Sequence, residues 1–210
     1  MKVIIAAAGT GGHINPGIAI ANKIKEKEPK SEIIFIGTNR GLENDLVPRA
    51  GFPLWTIDAH GIERKFTVQN FKNLYATFKS IGEAQRFLDN FRPNVVIGMG
   101  GYICVPTVIA AKKMGIPVVL HESNAFPGIA VKLFKKKVNK ILVGFQDAKD
   151  RLEGASNVVV TGNPVKIKKL DLSEEEKKKI KTKLGIKENK PVVLVFGGSQ
   201  GAQSINRSFL

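Results

Sequence analysis

The chain opens with KVIIAAAGTGGHINPG, residues 2–17, in which an apolar run leads into a glycine loop and then a helix start. The run from Val3 to Ala8 carries no charge and no polar alternation, as expected of a strand buried on both faces of a parallel sheet. The following glycines let the backbone turn sharply, and Pro16 suits a first helical turn. A strand, a glycine loop and a helix in this order are the repeating unit of a doubly wound α/β fold.

The same alternation of strand and helix continues along the chain. Helical patterns separate the apolar runs, and Gly51 and Gly115 suit positions just past a helix end. We therefore predict a Rossmann-like, doubly wound parallel sheet over residues 1–164, with its ligand at the carboxyl ends of the strands. The further strand candidates are 32–36, 54–57, 94–97, 117–120, 140–143 and 157–160, and the helical segments are 16–28, 42–50, 71–91, 105–114 and 128–136.

From residue 165 onward the composition becomes lysine-rich and the alternation starts again. Ser173 followed by three glutamates predicts a helix N-cap with an acidic first turn, and Gly185 suits the end of that helix. PVVLVF at 191–196 has the pattern of another buried strand, followed by a third glycine loop and a helix start. We expect residues 165–210 to be a linker and the beginning of a second Rossmann-like domain, which these residues are too few to complete.

The composition of the 210 residues is that of a globular protein, with 43% hydrophobic and 24% charged residues. Lys and Arg number 33 against 18 Asp and Glu, a net charge of +15 that predicts an anionic partner. Nucleic acid, phosphorylated metabolites and an acidic membrane surface all remain open on charge alone. The longest uncharged stretch lies between Arg92 and Lys112, but its prolines and glycines argue against a spanning helix.

Three glycine loops each follow a strand candidate: GTGGH at 9–13, GMGGY at 98–102 and GGSQG at 197–201. Backbone amides of such loops, together with the positive end of the following helix, favour a bound phosphate. The alternative is that the glycines merely allow tight turns. Three loops of this form in one basic chain favour a phosphate-bearing ligand.

Two common phosphate sites do not fit the sequence. A dinucleotide fingerprint beginning at Gly9 needs a glycine where Ile14 stands and an acid near residues 37–40, which read GTNR. No P-loop motif occurs, and the histidines, the one cysteine and the acids show neither metal-ligand spacing nor a DxD pair.

Two histidines stand where the sheet should bind its ligand. His13 follows the first loop, and a neutral imidazole there could accept a proton from a substrate hydroxyl; alternatively it hydrogen-bonds the loop. His121-Glu122-Ser123-Asn124 follows the 117–120 strand and reaches the same edge. These side chains could orient sugar hydroxyls or His13, or could form a satisfied polar turn, and the spacing does not separate the two.

Five motifs together resemble the MurG family of bacterial cell-wall glycosyltransferases. They are GTGGHINPG at 9–17, GMGGY at 98–102, HESNAFPG at 121–128, TGNPV at 161–165 and GGSQGAQSIN at 197–206. The resemblance implies a GT-B fold of two Rossmann-like halves, of which this chain would hold the first and the start of the second. It also implies metal-independent, inverting transfer of N-acetylglucosamine from UDP-N-acetylglucosamine (UDP-GlcNAc) to undecaprenyl-pyrophosphoryl N-acetylmuramyl-pentapeptide (lipid I), without a cofactor.

The resemblance also implies roles for individual residues. His13 would be the general base for the C4 hydroxyl of the acceptor sugar. The family usually has Arg where this chain has Lys166, which keeps the charge but loses the bidentate fork, and Ser-Gly-Pro where it has residues 103–106, ICVP. UDP-GlcNAc would contact Thr10, Gly11, Gly12, Asn124, Lys166 and Ser199, and the acceptor pyrophosphate would contact Gly100, Gly101 and Tyr102.

Because lipid I is embedded in a bilayer, the resemblance implies a peripheral position on the cytoplasmic face of the bacterial plasma membrane. A helical stripe of apolar residues with nearby lysines suits contact with anionic lipid, although most such stripes pack on a sheet. Residues 134–137, FKKK, are a second basic candidate. The predicted membrane-contact residues are Leu74, Tyr75, Phe78, Ile81, Lys72 and Lys79.

Two other functions compete with the transferase. A nucleic-acid-binding protein fits the charge, but aromatic residues are few and no recognition motif is present, so no nucleic-acid partner is expected. A lipid-pyrophosphate-binding module without turnover fits a chain that lacks most of the donor half. We expect residues 1–210 alone to transfer little or no sugar.

Overall fold

A computed structural model of the chain describes residues 1–60, 68–166, 170–187, 190–197 and 202–209, with side chains for all of these except 68–78, 206 and 209. The chain divides into two compact units, Met1–Lys166 and Ile167–Leu210.

The described part of the first unit contains one parallel sheet of seven strands. The strands are β1 (Lys2–Ala6), β2 (Glu32–Gly37), β3 (Leu54–Thr56), β4 (Val95–Gly98), β5 (Val118–Glu122), β6 (Lys140–Val143) and β7 (Val158–Val160). Their order is β3-β2-β1-β4-β5-β6-β7, so the strand order changes direction between β1 and β4. Such a switch point is where open α/β sheets bind ligands. The predicted doubly wound parallel sheet is confirmed.

Helices connect successive strands of this sheet. They are α1 (Gly11–Lys27), α2 (Glu43–Arg49), α3 (Val68–Phe91), α4 (Cys104–Lys113), α5 (Ile129–Phe134) and α6 (Gln146–Asp150). Across the described ranges of the chain, no helix is both long and apolar enough to cross a bilayer.

Successive residues of β1 contribute to two separate cores, one on each face of the sheet. Val3 and Ile5 belong to a cluster with Ile14 and Ile18 of α1, whereas Ile4 belongs to a cluster built with α3, α4, α5 and α6. Val3, Ile4 and Ile5 are fully buried, and burial of one such side chain contributes about 1.5–3 kcal/mol. Burial on both faces explains why the strand is apolar without alternation.

The second unit contains α7 (Glu174–Lys183) and α8 (Gln203–Phe209) among its described residues. Ser173 caps α7 as predicted: its Oγ accepts a hydrogen bond from the Glu176 amide at 3.3 Å, and its own amide donates to Glu176 Oε2 at 2.8 Å. This reciprocal pair satisfies two amides at the start of the helix.

The strand predicted for residues 191–196 is wrong. These residues form no strand, and Val193 and Leu194 are 76% and 78% exposed. A parallel strand needs a hydrogen-bonded neighbour, and the described residues of the second unit contain no strand with which this segment pairs. Its apolar side chains therefore remain uncovered.

Candidate functional site

The first two glycine loops and the HESN segment meet at one edge of the sheet. β1 pairs with β4 and β4 pairs with β5, all parallel, so the segments that follow these strands emerge side by side at their carboxyl ends. Residues 87 positions apart in sequence, His13 and Gly100, are neighbours in the fold for this reason.

The His13 side chain lies against the backbone of the second glycine loop. A β-carbon at Gly100 would lie 3.0 Å from His13 Cε1 and 3.2 Å from Nδ1, and one at Gly101 would lie 3.4 Å from Cδ2. Both glycines have positive φ, +90° and +75°, which L side chains rarely adopt. Glycine at both positions therefore makes room for the imidazole and allows the backbone to turn.

One ring nitrogen of His13 has no hydrogen-bond partner among the described residues. Its Nδ1 is buried without a partner. Buried polar atoms are normally paired, so this one is a candidate for pairing with a ligand or with water. The alternative that His13 hydrogen-bonds its own loop through Nδ1 is not what the structure shows.

Backbone amides in both loops are also left without acceptors among the described residues. In the first loop, Gly9 donates to Glu43 and Thr10 donates to Ala8, but Gly11 and Gly12, at the start of α1, have no such acceptor. In the second loop, the amides of Gly101 and Tyr102, just before α4, likewise have no such acceptor, whereas the Gly100 amide faces the Cys104 sulfur. Amides of this kind at helix N-termini are suited to anions.

Glu43, which the sequence analysis did not identify, connects the loop after β1 to the loop after β2. Its carboxylate is fully buried. Oε2 accepts the Gly9 amide at 2.9 Å, while Oε1 accepts the amide and the hydroxyl of Thr38 at 2.9 and 2.7 Å. The loop after β1 is thereby tied to the loop after β2.

Glu122, at the end of β5, organises the segment that follows it. Its Oε1 accepts both the backbone and the side-chain amide of Asn124 at 2.9 Å, and its Oε2 accepts the Gly128 amide at 2.7 Å. Asn163 of the TGNPV motif adds a bond from its side-chain amide to the Ser123 carbonyl at 3.0 Å. The Asn124 side chain is thus held in place just beyond the carboxyl end of β5.

His121 is buried within the same edge. Burial lowers its pKa, and a charge on nearby His13 lowers it further, whereas the Gly162 carbonyl and Glu122 act in the opposite direction. Its Nδ1 lies 3.3 Å from Ser123 Oγ, and its Nε2 has no partner among the described residues. His121 is therefore a neutral imidazole near neutral pH.

The predicted site residues divide into those that gather at this edge and those that do not. The first group lies on the loops at the carboxyl ends of β1, β4 and β5 or in the first turn of α1, and consists of Thr10, Gly11, Gly12, His13, Gly100, Gly101, Tyr102 and Asn124. Lys166 is exposed at the end of the first unit. Ser199 lies outside the described residues.

The predicted membrane-contact residues fall on α3. Leu74, Tyr75, Phe78 and Lys72 have described helical backbone but lie outside the described side chains, and Lys79 is exposed. The prediction for Ile81 is wrong: it is only 8% exposed and belongs to the core cluster of the sheet. Helical spacing alone does not distinguish a lipid-facing side from a sheet-facing one.

A second exposed apolar area lies on and beside α5, and we call Phe126, Ile129 and Leu133 the α5 surface. These side chains are 72%, 76% and 51% exposed. The Arg151 guanidinium lies 4.2 Å from the centre of the Phe126 ring, and lysines at 132, 136 and 137 are exposed nearby in sequence. Of the second basic candidate, residues 134–137, Lys136 and Lys137 are exposed and Phe134 is buried.

The described residues offer no group of three or more His, Cys, Asp or Glu side chains arranged to hold a metal ion. Cys104 is buried at the start of α4, where its Sγ donates to the Gly100 carbonyl at 3.1 Å. Burial raises its thiol pKa to about 12. The ICVP segment that departs from the family pattern therefore forms part of the core, with Ile103 and Cys104 fully buried.

Residues 3–143 match the glycosyltransferase family 28 N-terminal domain. The chain is 45% identical over 206 residues to the UDP-N-acetylglucosamine--N-acetylmuramyl-(pentapeptide) pyrophosphoryl-undecaprenol N-acetylglucosamine transferase of Acetivibrio thermocellus, covering 98% of this chain and 55% of the relative. The enzyme of the same name from Ruminiclostridium cellulolyticum is 45% identical over 208 residues, covering 99% and 56%. The chain thus spans about half the length of the curated relatives it matches.

Solved structures give the same result for the fold. MurG of Acinetobacter baumannii aligns with a TM-score of 0.64 and 28% identity, over 76% of this chain and 45% of that one. The UDP-GlcNAc 2-epimerase of Methanocaldococcus jannaschii aligns with a TM-score of 0.55 and 19% identity, over 78% and 46%. The second likeness concerns the fold alone.

Proposed function

The chain belongs to glycosyltransferase family 28, and from this premise we propose that residues 1–164 are the acceptor-binding half of an inverting N-acetylglucosaminyltransferase. The reaction moves N-acetylglucosamine from UDP-GlcNAc to the C4 hydroxyl of the muramyl sugar of lipid I, which yields lipid II for peptidoglycan. The observation that carries this proposal is the position of His13, with its Nδ1 unpartnered, against a glycine loop whose amides lack acceptors.

In the proposed mechanism His13 is the general base. The acceptor O4 forms a bond to the anomeric carbon of N-acetylglucosamine as the C4 hydroxyl proton moves to the imidazole. The bond from the anomeric carbon to the β-phosphate oxygen of UDP breaks on the opposite face, so the configuration inverts and UDP leaves with the electron pair. A positioned general base of this type contributes roughly 10²- to 10⁴-fold to the rate.

The loop amides hold the two diphosphates in this proposal. Gly100, Gly101 and Tyr102 bind the acceptor pyrophosphate, while Thr10, Gly11, Gly12 and Asn124 line the donor side. A helix N-terminus stabilises the negative charge of a diphosphate without a cation, and the proposed reaction uses no metal or other cofactor. Lys166 and Ser199 are assigned to UDP-GlcNAc on the family resemblance.

The proposed location is the cytoplasmic face of the bacterial plasma membrane, with the chain peripheral to it. The acceptor carries an undecaprenyl chain, so its pyrophosphate lies close to the headgroup layer. The net charge of +15 and the exposed apolar and cationic side chains of the α5 surface support contact with anionic lipid. Leu74, Tyr75, Phe78, Lys72 and Lys79 of α3 are assigned to the same contact.

A second candidate function follows from the exposed, unpaired segment 191–196. The described residues provide the acceptor side of the site but no second sheet. Residues 1–210 would then bind lipid pyrophosphate without transferring sugar.

A transfer assay separates the two functions. Residues 1–210 alone, and the same residues fused to the C-terminal part of the Acetivibrio thermocellus relative, are given UDP-GlcNAc and a lipid I analogue. We expect transfer by the fusion and little or none by the chain alone. His13→Ala in the fusion should lower the rate by roughly 10²- to 10⁴-fold without changing its melting temperature. His60→Ala, which removes a partly exposed histidine paired with Asp58, should leave the rate unchanged. A near-normal rate for His13→Ala would remove it from the mechanism.

A further inference from the structure

The buried Glu43 carboxylate has a donor set that calls for a negative charge. Its two oxygens receive three donors, which come from Gly9 and Thr38 on two different loops. A carboxylate only accepts, so both oxygens can be satisfied at once. A glutamine at this position would set its NH₂ group against one of the two backbone N–H donors. Hydrogen bonds to an ionised acceptor are also about twice as strong as neutral ones.

The backbone around Glu43 leaves space for this side chain. A β-carbon at Gly37 would come 2.7 Å from Glu43 Cγ, and one at Gly41 would come 2.7 Å from Cδ. The GTNRG segment (residues 37–41) lacks the acid expected of a dinucleotide site. Its backbone is instead arranged around Glu43, six residues after Gly37 at the end of β2.

The bond to Glu43 decides which amides of the first loop remain available. The Gly9 amide is occupied, and a fixed negative charge 2.9 Å from it opposes a phosphate at that end of the loop. Gly11 and Gly12, two and three residues further on, remain without described acceptors. The same bond fixes the start of the segment that carries His13 to the second glycine loop.

We propose that Glu43 is a positioning residue of this site: it holds the first glycine loop so that His13 stays against Gly100 and Gly101, and it confines phosphate to the Gly11 and Gly12 end. Glu43 itself contacts no substrate. The inference rests on the proposed function for its phosphate part, whereas the position of His13 is independent of any ligand.

The test uses residues 1–210 and Glu43→Gln, with Val47→Ala as the matched control. Val47 is fully buried on the same helix but belongs to the core cluster rather than to the loops. Three quantities are measured: the melting temperature, the affinity for inorganic pyrophosphate by calorimetry, and the NMR signals of the His13 ring and the Gly9 amide.

We expect Glu43→Gln to weaken pyrophosphate binding by about tenfold, because losing the fixed position of Gly11 and Gly12 outweighs removing an opposing charge beside Gly9. The NMR signals of the His13 ring should change as well. Val47→Ala should lower the melting temperature and leave both quantities unchanged. If Glu43→Gln does not fold, Thr38→Val decides, because it removes one donor and keeps the charge. It should shift the same His13 and Gly9 signals by a smaller amount.

The outcomes distinguish this inference from the proposed function. Wild-type chain that does not bind pyrophosphate would contradict the proposed function, while the His13 signals would still test the positioning. If the wild type binds pyrophosphate and Glu43→Gln shows the same affinity and the same His13 signals, the role of Glu43 is overturned. Where Glu43→Gln does not fold, the same result for Thr38→Val overturns it. Equal shifts in Val47→Ala would also overturn it, because they would indicate a general loss of stability.

Discussion

The His13 imidazole and Gly100 are in direct contact, with room for no side chain between them: a β-carbon on Gly100 would lie 3.0 Å from His13 Cε1. The contact joins the loop after β1 to the loop after β4, and it brings a titratable ring to a backbone segment suited to anions. This one pair therefore connects the two chemical functions of the proposed site, proton transfer and phosphate binding.

Gly100→Ala should displace the His13 ring. The positive φ alone costs about 1–2 kcal/mol for a residue with a β-carbon, and the clash with the imidazole adds to it. Gly51→Ala is the matched control, because Gly51 has φ +82° but no atom within 4 Å of the added carbon. Urea denaturation and NMR of the histidine ring protons measure the two effects. Equal destabilisation by both variants, with unchanged His13 signals, would show that the contact is not structurally tight.

Stability should fall as the pH drops below about 6.5 because of His121. Burial lowers its pKa in the folded state, so between that lowered pKa and the ordinary value the unfolded chain carries the additional proton. Stability is therefore complete above the unfolded pKa and decreases on acidification, by at most about 1.4 kcal/mol per pH unit for one group. Urea unfolding from pH 8 to pH 5 measures the slope. His121→Gln should flatten it and His60→Gln should not; an unchanged slope in His121→Gln would contradict the assignment.

Glu122→Gln should loosen the segment 123–128. The side-chain NH₂ of the introduced glutamine would face the N–H donors of Asn124 or Gly128. Loss of a charged hydrogen bond costs about 1.5–3 kcal/mol. Hydrogen exchange at Gly128 should become faster, and the free energy of unfolding should fall. Glu153→Gln, at an exposed position, should change stability by less than about 0.5 kcal/mol. A Gly128 amide that exchanges at the wild-type rate would speak against Glu122 as the organiser of this segment.

Vesicle binding should depend on the α5 surface. The double variant Ile129→Ser and Leu133→Ser removes two exposed apolar side chains and should weaken binding to vesicles that contain anionic lipid. The matched control is Ile180→Ser with Leu184→Ser, which removes exposed apolar side chains from the second unit. Sedimentation with anionic and with zwitterionic vesicles compares the wild-type chain with the two double variants. Equal losses in both double variants would indicate that the contact is not specific to α5.

Most of the sheet was predictable because its strands are buried on both faces. The run from Val3 to Ala6 is apolar without alternation, and its neighbours in the sheet share that pattern. Residues 191–196 have the same pattern and form no strand. An apolar run specifies that a strand can be buried, but the neighbouring strands that bury it come from elsewhere in the chain.

The site was predictable where it depends on local backbone chemistry and not where it depends on distant partners. The glycine loops and His13 follow their strands directly, so the fold brings them to one edge. Glu43 receives a donor from Gly9, 34 residues away, and no spacing rule indicates that pair. Ile81 illustrates the converse, since its helical spacing fits a lipid-facing stripe and the structure buries it against the sheet.

The most direct test of the central claim is an NMR titration of ¹⁵N-labelled residues 1–210 with a soluble lipid I analogue that carries the pyrophosphate. We predict saturable shifts in the amides of Gly100, Gly101 and Tyr102 and in the His13 ring, while Gly51 and Gly185 remain unchanged. Shifts confined to the lysine-rich α7, or no saturable shifts at the two loops, would contradict the claim that this edge of the sheet binds the acceptor.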